Sequence, residues 1–530
     1  MRRWSANQEI SFSCLPYGTG QADQGVCLLL KVGDYRILLD CGLEDLSDLK
    51  QNQVVDLVLC SHAHGDHARG LLSFHQSYPQ VPIYTSEITA HLLPLLWPGQ
   101  TINDLSQELP WRLPFKVLDD LTVELFPAGH IPGAAAFLLT YQTKGRSYKI
   151  FYTGDFCLSN FQLVDGLSVE PLRGLNPDIL ILEGTYGTNR HPHRRQQEKT
   201  LMHLINSSIS RGQSIAFFVN TLGIGQEILK LLRSHHQFTG RELDIWVGGE
   251  QLSRACDLYL EMLPQLPLAV QNFAKHQPLF WDERVFPKMR RITPDNQPKN
   301  YPYILLSDDP STILKYCDKS WLILLPEQQK NIADLFADLH CESYLLAEHS
   351  DGRNTTQLIH NLRPQHVVLI HGPSNYLRDI AALEELQNRY QLHVPSKLHQ
   401  VELPIGEKFI QPTVMPTVSV YEGELNEVGS SIIISLPSLI SNDTRWPFFA
   451  GTGIVEARWQ GEELVIRGLQ EKELLLFNSE NKSIEDLDCC SNCSHYRGQK
   501  CWNTKSPLYD FKVTPEGCCP VFEATVSQEE

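Results

Sequence analysis

Short apolar runs broken by Gly, Pro, Asp and His recur through the first 195 positions. RILL (36–39), VVDLVLC (54–60), the two flanks of LFPAGHIPGAAAFLL (125–139) and KIFYT (149–153) are almost wholly aliphatic, β-branched or aromatic. Runs of that length with no polar alternation predict strands buried on both faces. From about residue 196 the period lengthens. QEKTLMHLINSSI (197–209) and GQEILKLLRSH (225–235) follow helical spacing, interleaved with strand-like SIAFFV (214–219) and LDIWVGG (243–249). This predicts an α/β domain over 196–344, inserted into a host whose strand pattern resumes over 345–412 with VVLI (367–370). The Pro-rich stretch 279–304 predicts a loop or domain edge. SSIIISL (430–436), GIVEARW (453–459) and ELVIRGL (463–469) then predict a small β-rich module over 413–485, suited to docking or to a homodimer contact.

What interrupts the apolar runs is chemically specific. Ser-His-Ala-His-Gly-Asp-His (61–67) follows one predicted strand directly and sets His62, His64, Asp66 and His67 in a single loop. Asp40, His130, Asp155 and His371 each stand at another strand end. Imidazole nitrogens and carboxylate oxygens are the donors that zinc and its neighbours in the first transition row accept most readily. Four such donors in one loop, with more at neighbouring strand ends, predict a metal site.

The order and setting of Asp40, the HxHxDH loop, His130 and Asp155 resemble the first four motifs of the metallo-β-lactamase fold. Glu183 in LILEGTYG, His349 in AEHSDG and His371 in LIHGP resemble the further motifs of the β-CASP nucleases. Gly184 stands in place of the usual serine, and Glu348 in place of a small residue. FFVNTLGIGQEILKLL (217–232) is similar to that family's helix start, with Gly225, Gln226 and Glu227 retained. The resemblance covers roughly residues 10 to 410. The Gly-rich turns usual in the family's inserted domain are missing.

This resemblance implies an αββα sandwich (1–195 and 345–412) with an inserted α/β β-CASP domain, followed by the β module and a Cys-rich tail (486–530). It implies two zinc ions, one held by His62, His64 and His130, the other by Asp66, His67 and His371, with Asp155 bridging. Asp40 and Glu183 would hold ligating histidines through their far ring N–H. His349 would protonate the leaving oxygen. Catalysis would thus rest on Asp40, Asp66, Asp155, Glu183 and His349. The family cleaves nucleic acid, and its RNA-cleaving members carry histidine where His371 stands, so single-stranded RNA is the expected substrate. A DNA nuclease is one alternative. Gly184, Glu348 and the altered inserted domain also fit another, a weakly catalytic scaffold of the same fold.

Composition constrains partners more than fold. A net charge of −17 in 530 residues disfavours broad non-specific adhesion to nucleic acid, which needs cationic surface. Local basic clusters then matter. TNRHPHRRQ (188–196) offers Arg190, Arg194 and Arg195 as substrate contacts, while FPKMRRI (286–292) reads as a solvated charge run. No apolar run is long enough to span a bilayer, and MRRWSANQE lacks the core of a signal peptide, so a cytoplasmic protein is expected. Eight scattered cysteines read as reduced, buried thiols. The other six crowd into the tail, where Cys490, Cys493, Cys501 and Cys519 form a metal-ligand pattern. Structural zinc and an iron–sulfur cluster both suit it.

Overall fold

The computed structural model describes residues 10–406, apart from 22–23, 53–54, 103 and 300–301. It also describes 424–428, 431–435, 455–460, 463–468, 493–497, 500–504 and 523. The chain forms two compact units, 1–415 and 416–530.

Within the first unit, β1 (Phe12–Thr19), β2 (Val26–Val32), β3 (Tyr35–Leu39), β4 (Leu57–Leu59), β5 (Ile83–Thr85) and β6 (Gln107–Glu108) build one sheet. A second sheet starts with β7 (Phe115–Leu118), β8 (Leu121–Pro127), β9 (Ala135–Gln142), β10 (Ser147–Tyr152) and β11 (Ile179–Glu183). The chain then leaves for a third, all-parallel sheet of β12 (Ile215–Phe218), β13 (Asp244–Gly248), β14 (Lys288–Arg291), β15 (Tyr303–Ser307), β16 (Leu322–Pro326) and β17 (His340–Tyr344). It returns as β18 (His366–Ile370) and β19 (Gln391–His393), which complete the second sheet, and β20 (Val401–Glu402), which joins the edge of the first. The orders are β20-β1-β2-β3-β4-β5-β6, β19-β18-β11-β10-β9-β8-β7 and β14-β13-β15-β12-β16-β17.

The unbroken apolar runs are explained by where alternate side chains go. In β2, Val26, Leu28, Leu30 and Val32 enter the core between the first two sheets, while Cys27 and Leu29 enter the core beneath the outer helices. In β11, Ile179 and Ile181 face inward, and Leu180 and Leu182 face the helix layer. Strands covered on both sides need no polar alternation. The result is the αββα sandwich. One face of the third sheet, through Phe217, Val247, Leu306 and Leu324, joins that same helix-layer core.

The Pro-rich stretch is not all loop. Lys288–Arg291 adds β14 to the sheet edge beside β13, and its arginines are committed: Arg291 pairs with Asp257, and Arg290 lies 3.8 Å from Asp244 and 3.6 Å from Glu283. In the second unit, β21 (Glu424–Val428) pairs with β22 (Ser431–Ser435) and β23 (Val455–Gln460) with β24 (Glu463–Gly468) as antiparallel hairpins. No helix among the described residues is long and apolar enough to cross a membrane.

Candidate metal centre

The centre lies where strands of both central sheets end. Asp40 follows β3 and the 61–67 loop follows β4. His130 sits in the turn between β8 and β9, Asp155 lies beyond β10, Glu183 ends β11 and His371 follows β18. Parallel strands that stop together leave their next residues around one crevice. Two junctions turn sharply: Asp40 has φ +55° and His371 φ +51°. Left-handed backbone at non-glycine residues costs about 1–3 kcal/mol each and persists where packing over-determines it. Gly42 allows the loop to close, since a Cβ there would lie 1.6 Å from the Asp66 carbonyl oxygen.

The histidine rings share a pattern of connection. Each of five has one nitrogen engaged by a fixed oxygen behind it. His62 Nδ1 donates to Ser61 Oγ at 3.0 Å, His130 Nδ1 to the Glu348 carbonyl at 2.9 Å, and His64 Nε2 to the Leu222 carbonyl at 3.4 Å. His67 Nδ1 donates to Asp40 Oδ2 at 2.7 Å, and His371 Nδ1 to Thr185 Oγ1 at 2.9 Å. Asp40 and Thr185 are fixed in turn, Asp40 by Ser61 and the Tyr152 hydroxyl, Thr185 by donating to Glu183.

The opposite nitrogens converge. His64 Nδ1 and His130 Nε2 lie 3.0 Å apart, and His62 Nε2 and His130 Nε2 lie 3.7 and 3.8 Å from Asp155 Oδ2. On the other side, His67 Nε2 is 3.3 Å from Asp155 Oδ1. His371 Nε2 is 3.6 Å from Asp155 Oδ2 and 3.2 Å from Asp66 Oδ2. Three donor groups result, His62, His64, His130 with Asp155, then Asp66, His67 with His371, and Asp155, His371 with Glu183 and His349, so that Asp155 and His371 are each shared by two.

Whether these residues suit a metal can be judged from the unsatisfied atoms. His62 Nε2, His67 Nε2 and Asp155 Oδ1 are buried with no hydrogen-bond partner. Buried polar atoms without partners are costly, and these three are all ligand-type atoms facing one volume. Charge agrees. Burial works against a positive His67, yet Asp155, Asp66 and Asp40 outweigh it and raise its pKa well above the usual range. Burial and the neighbouring rings hold His62 and His130 well below it. The centre thus combines imidazoles, those of His62 and His130 held neutral, with carboxylates that draw in positive charge, and it fits divalent cations.

His349 belongs to the third group only. Its Nδ1 lies 2.9 Å from Glu183 Oε1 and 3.9 Å from Asp155 Oδ2, and its ring is stacked 5.6 Å from that of His371. Burial would lower its pKa, but Glu183 outweighs burial and lifts it to about 9. Glu183 also accepts from the backbone N–H of Phe156, just past Asp155. One carboxylate therefore ties together the 155 loop, Thr185 and His349.

The expected substrate arginines separate. Arg190 is exposed on the loop after Thr188, and Arg195 is exposed at the start of the helix Arg194–Ser210. Arg194, expected on the rim, belongs to the interior. It is 3% exposed, donates to the Ala347 carbonyl at 2.7 Å and pairs with Glu198 and Glu227. Of the tail cysteines, Cys501 is buried in a short hairpin whose strands are β25 (Tyr496–Arg497) and β26 (Lys500–Cys501), and Cys493 lies just before it. Cys490 and Cys519 lie outside the described residues. The supports that motif reading overlooked are Ser61, Tyr152, Thr185, Leu222 and the Glu348 carbonyl. Only Ser61 and Thr185 had a signal, being hydroxyls beside motif residues.

A crevice of histidines and carboxylates at one end of an αββα sandwich, with a third sheet inserted between β11 and β18, defines a metallo-β-lactamase-type metal protein. The comparisons place it further. A beta-lactamase superfamily domain matches residues 35–216. An uncharacterised protein of Synechocystis sp. is 50% identical over 542 residues, 98% of each chain. Probable RNase MJ4 of Methanocaldococcus jannaschii is 32% identical over 235 residues, covering 40% of this chain and 54% of that protein. Integrator complex subunit 11 of Danio rerio is 24% identical over 426 residues, 69% and 70% of the two chains. The chain carries a metallo-β-lactamase domain, and the named relatives it resembles are β-CASP nucleases.

Proposed function

We propose that this protein is a dinuclear zinc phosphodiesterase that cleaves single-stranded RNA. The observation that carries the proposal is the set of five imidazoles, each anchored behind and open in front, around a buried Asp155. His62, His64 and His130 would hold one ion, Asp66, His67 and His371 the other, with Asp155 shared. Bound there, the pair supplies Lewis acidity for the phosphoryl oxygens and lowers the pKa of water.

The chain's own groups do the rest. Asp40 and Thr185 keep the His67 and His371 rings turned with Nε2 toward the centre. His349, protonated through Glu183, has Nε2 free of that bond and gives its proton to the oxygen that departs from phosphorus as the P–O bond breaks. Arg190 and Arg195, both exposed, would meet backbone phosphates of the strand. RNA is favoured by His371 and by the similarity to the probable RNase of Methanocaldococcus jannaschii. A cytoplasmic setting is favoured by buried thiols that are free rather than paired in disulfides, such as Cys14, Cys27 and Cys60.

Purified protein incubated with end-labelled RNA and matched single-stranded DNA tests this, with Asp155→Ala and His64→Ala as controls. RNA cleavage that both variants lose is expected. Full activity in either variant, or faster cleavage of DNA, refutes the assignment. RNA turnover no higher than that of Asp155→Ala would favour the scaffold reading. Early release of 5′ mononucleotide marks an exonuclease, and discrete internal fragments an endonuclease.

A further inference from the structure

A glutamate precedes His349 in the run LLAEHS, yet its side chain does not reach solvent. Glu348 is 8% exposed. Its carboxyl lies instead against Gly223, the residue before the helix Ile224–Ser234. The approach is close. Gly223 has φ +98°, and a Cβ there would lie 2.5 Å from Glu348 Oε1.

The two segments that meet at this contact also back two rings of the metal centre. The Glu348 carbonyl receives His130 Nδ1, and the Leu222 carbonyl receives His64 Nε2. One segment precedes the helix after β12 in the third sheet; the other is the loop that returns to β18. His64 Nδ1 and His130 Nε2 meet 3.0 Å apart in front of them. A shift between the segments would turn one ring relative to the other. Groups that orient ligating histidines in this way are worth about 10–100-fold in metal affinity.

We infer that Glu348 is a positioning residue: its buried carboxyl, packed against Gly223, fixes the start of the third sheet's helix against the His349 loop, and so sets the rings of His64 and His130. The inference rests on the dinuclear reading above and deepens it for one of the two ions.

The test uses the full chain, stripped of metal and titrated with zinc against a chromophoric chelator, with thermal unfolding followed in parallel. Wild type, Glu348→Ala, Glu348→Gln and Gly223→Ala are compared. Glu348→Ala should bind one of the two ions about 10–100-fold more weakly and leave the other unchanged. Glu348→Gln keeps the shape that packs against Gly223 and should bind both like wild type. Gly223→Ala, which crowds Oε1 while keeping the carboxyl, should follow Glu348→Ala. A contact of structural value alone would lower the melting temperature and weaken both ions alike, and that result overturns the inference. So does wild-type affinity for both ions in folded Glu348→Ala, or Gln as damaging as Ala. Should Glu348→Ala fail to fold, Glu348→Gln and Gly223→Ala still decide. A wild type that takes up fewer than two ions would instead remove the dinuclear reading itself.

Discussion

His67 Nδ1 and Asp40 Oδ2 lie 2.7 Å apart, both out of reach of solvent. Asp40 accepts also from the backbone N–H and hydroxyl of Ser61 and from the Tyr152 hydroxyl. A carboxylate with its lone pairs so occupied cannot swing away, and it fixes both the tautomer and the tilt of the ring. His67 Nε2 is thereby held toward Asp155.

Asp40→Asn tests this at little change in volume. An amide can turn an N–H toward His67 Nδ1, which would move the ring proton to Nε2, where a metal should bind. Loss of metal affinity by about 10–100-fold is expected, with a fold unchanged by circular dichroism. Equilibrium dialysis against a chelator provides the measurement. Undiminished metal retention would show that Asp40 serves packing only.

Arg194 makes a different prediction now that it lies in the interior. Its guanidinium joins the Ala347 carbonyl, two residues before His349, to Glu198 and Glu227. Glu227 in turn accepts from the backbone N–H groups of Gln162 and Leu163. Arg194→Ala leaves that buried carboxylate without its cation, a change that typically costs about 3–5 kcal/mol. Urea unfolding should show it as a lower midpoint. The dependence of RNA affinity on salt should stay as it was.

The contrast between Arg190 and Arg194 shows what the sequence disclosed and what it withheld. Strand ends were legible because apolar runs covered on both faces stop abruptly at Asp40, His62, Asp155 and His371. Ligand chemistry was legible because those residue types have few other uses in such a place. The direction of Arg194 was not: within the basic cluster TNRHPHRRQ it reads as a substrate contact, and only the fold shows that it turns inward. The stretch around Lys288–Arg291 reads as loop or domain edge for a related reason. A strand at a sheet edge needs no apolar run, and its charges hid it. The carbonyls of Leu222 and Glu348 carry no side-chain signature at all, so their contacts with His64 and His130 appear only in three dimensions.

Nucleic-acid contact should follow these assignments. Each lost phosphate contact on a single strand lowers the slope of log affinity against log salt by about 0.7. Arg190→Ala should show that change and weaken binding across unrelated sequences. Arg290→Ala and Arg291→Ala should leave the slope unaltered, since both guanidiniums are engaged by carboxylates of their own domain. Fluorescence anisotropy over a salt series, with the inactive Asp155→Ala background to prevent cleavage, separates the cases. An unchanged slope in Arg190→Ala would place the RNA elsewhere.

The tail cysteines should hold a metal independent of the His/Asp centre. Cys493 and Cys501 belong to the second compact unit, while all the His and Asp donors belong to the first. Cys501 is buried and its strand pairs with Tyr496–Arg497, so the hairpin fixes one thiol close to the turn that carries the other. Cys493→Ser and Cys501→Ser should each lose tail metal while keeping the two ions of the centre and wild-type hydrolysis. Zinc, with a filled d shell, leaves the protein colourless, whereas an iron–sulfur cluster absorbs in the visible. Anaerobic purification followed by absorbance and metal analysis distinguishes them. Loss of hydrolysis in a well-folded Cys501→Ser protein would mean that the tail takes part in the chemistry.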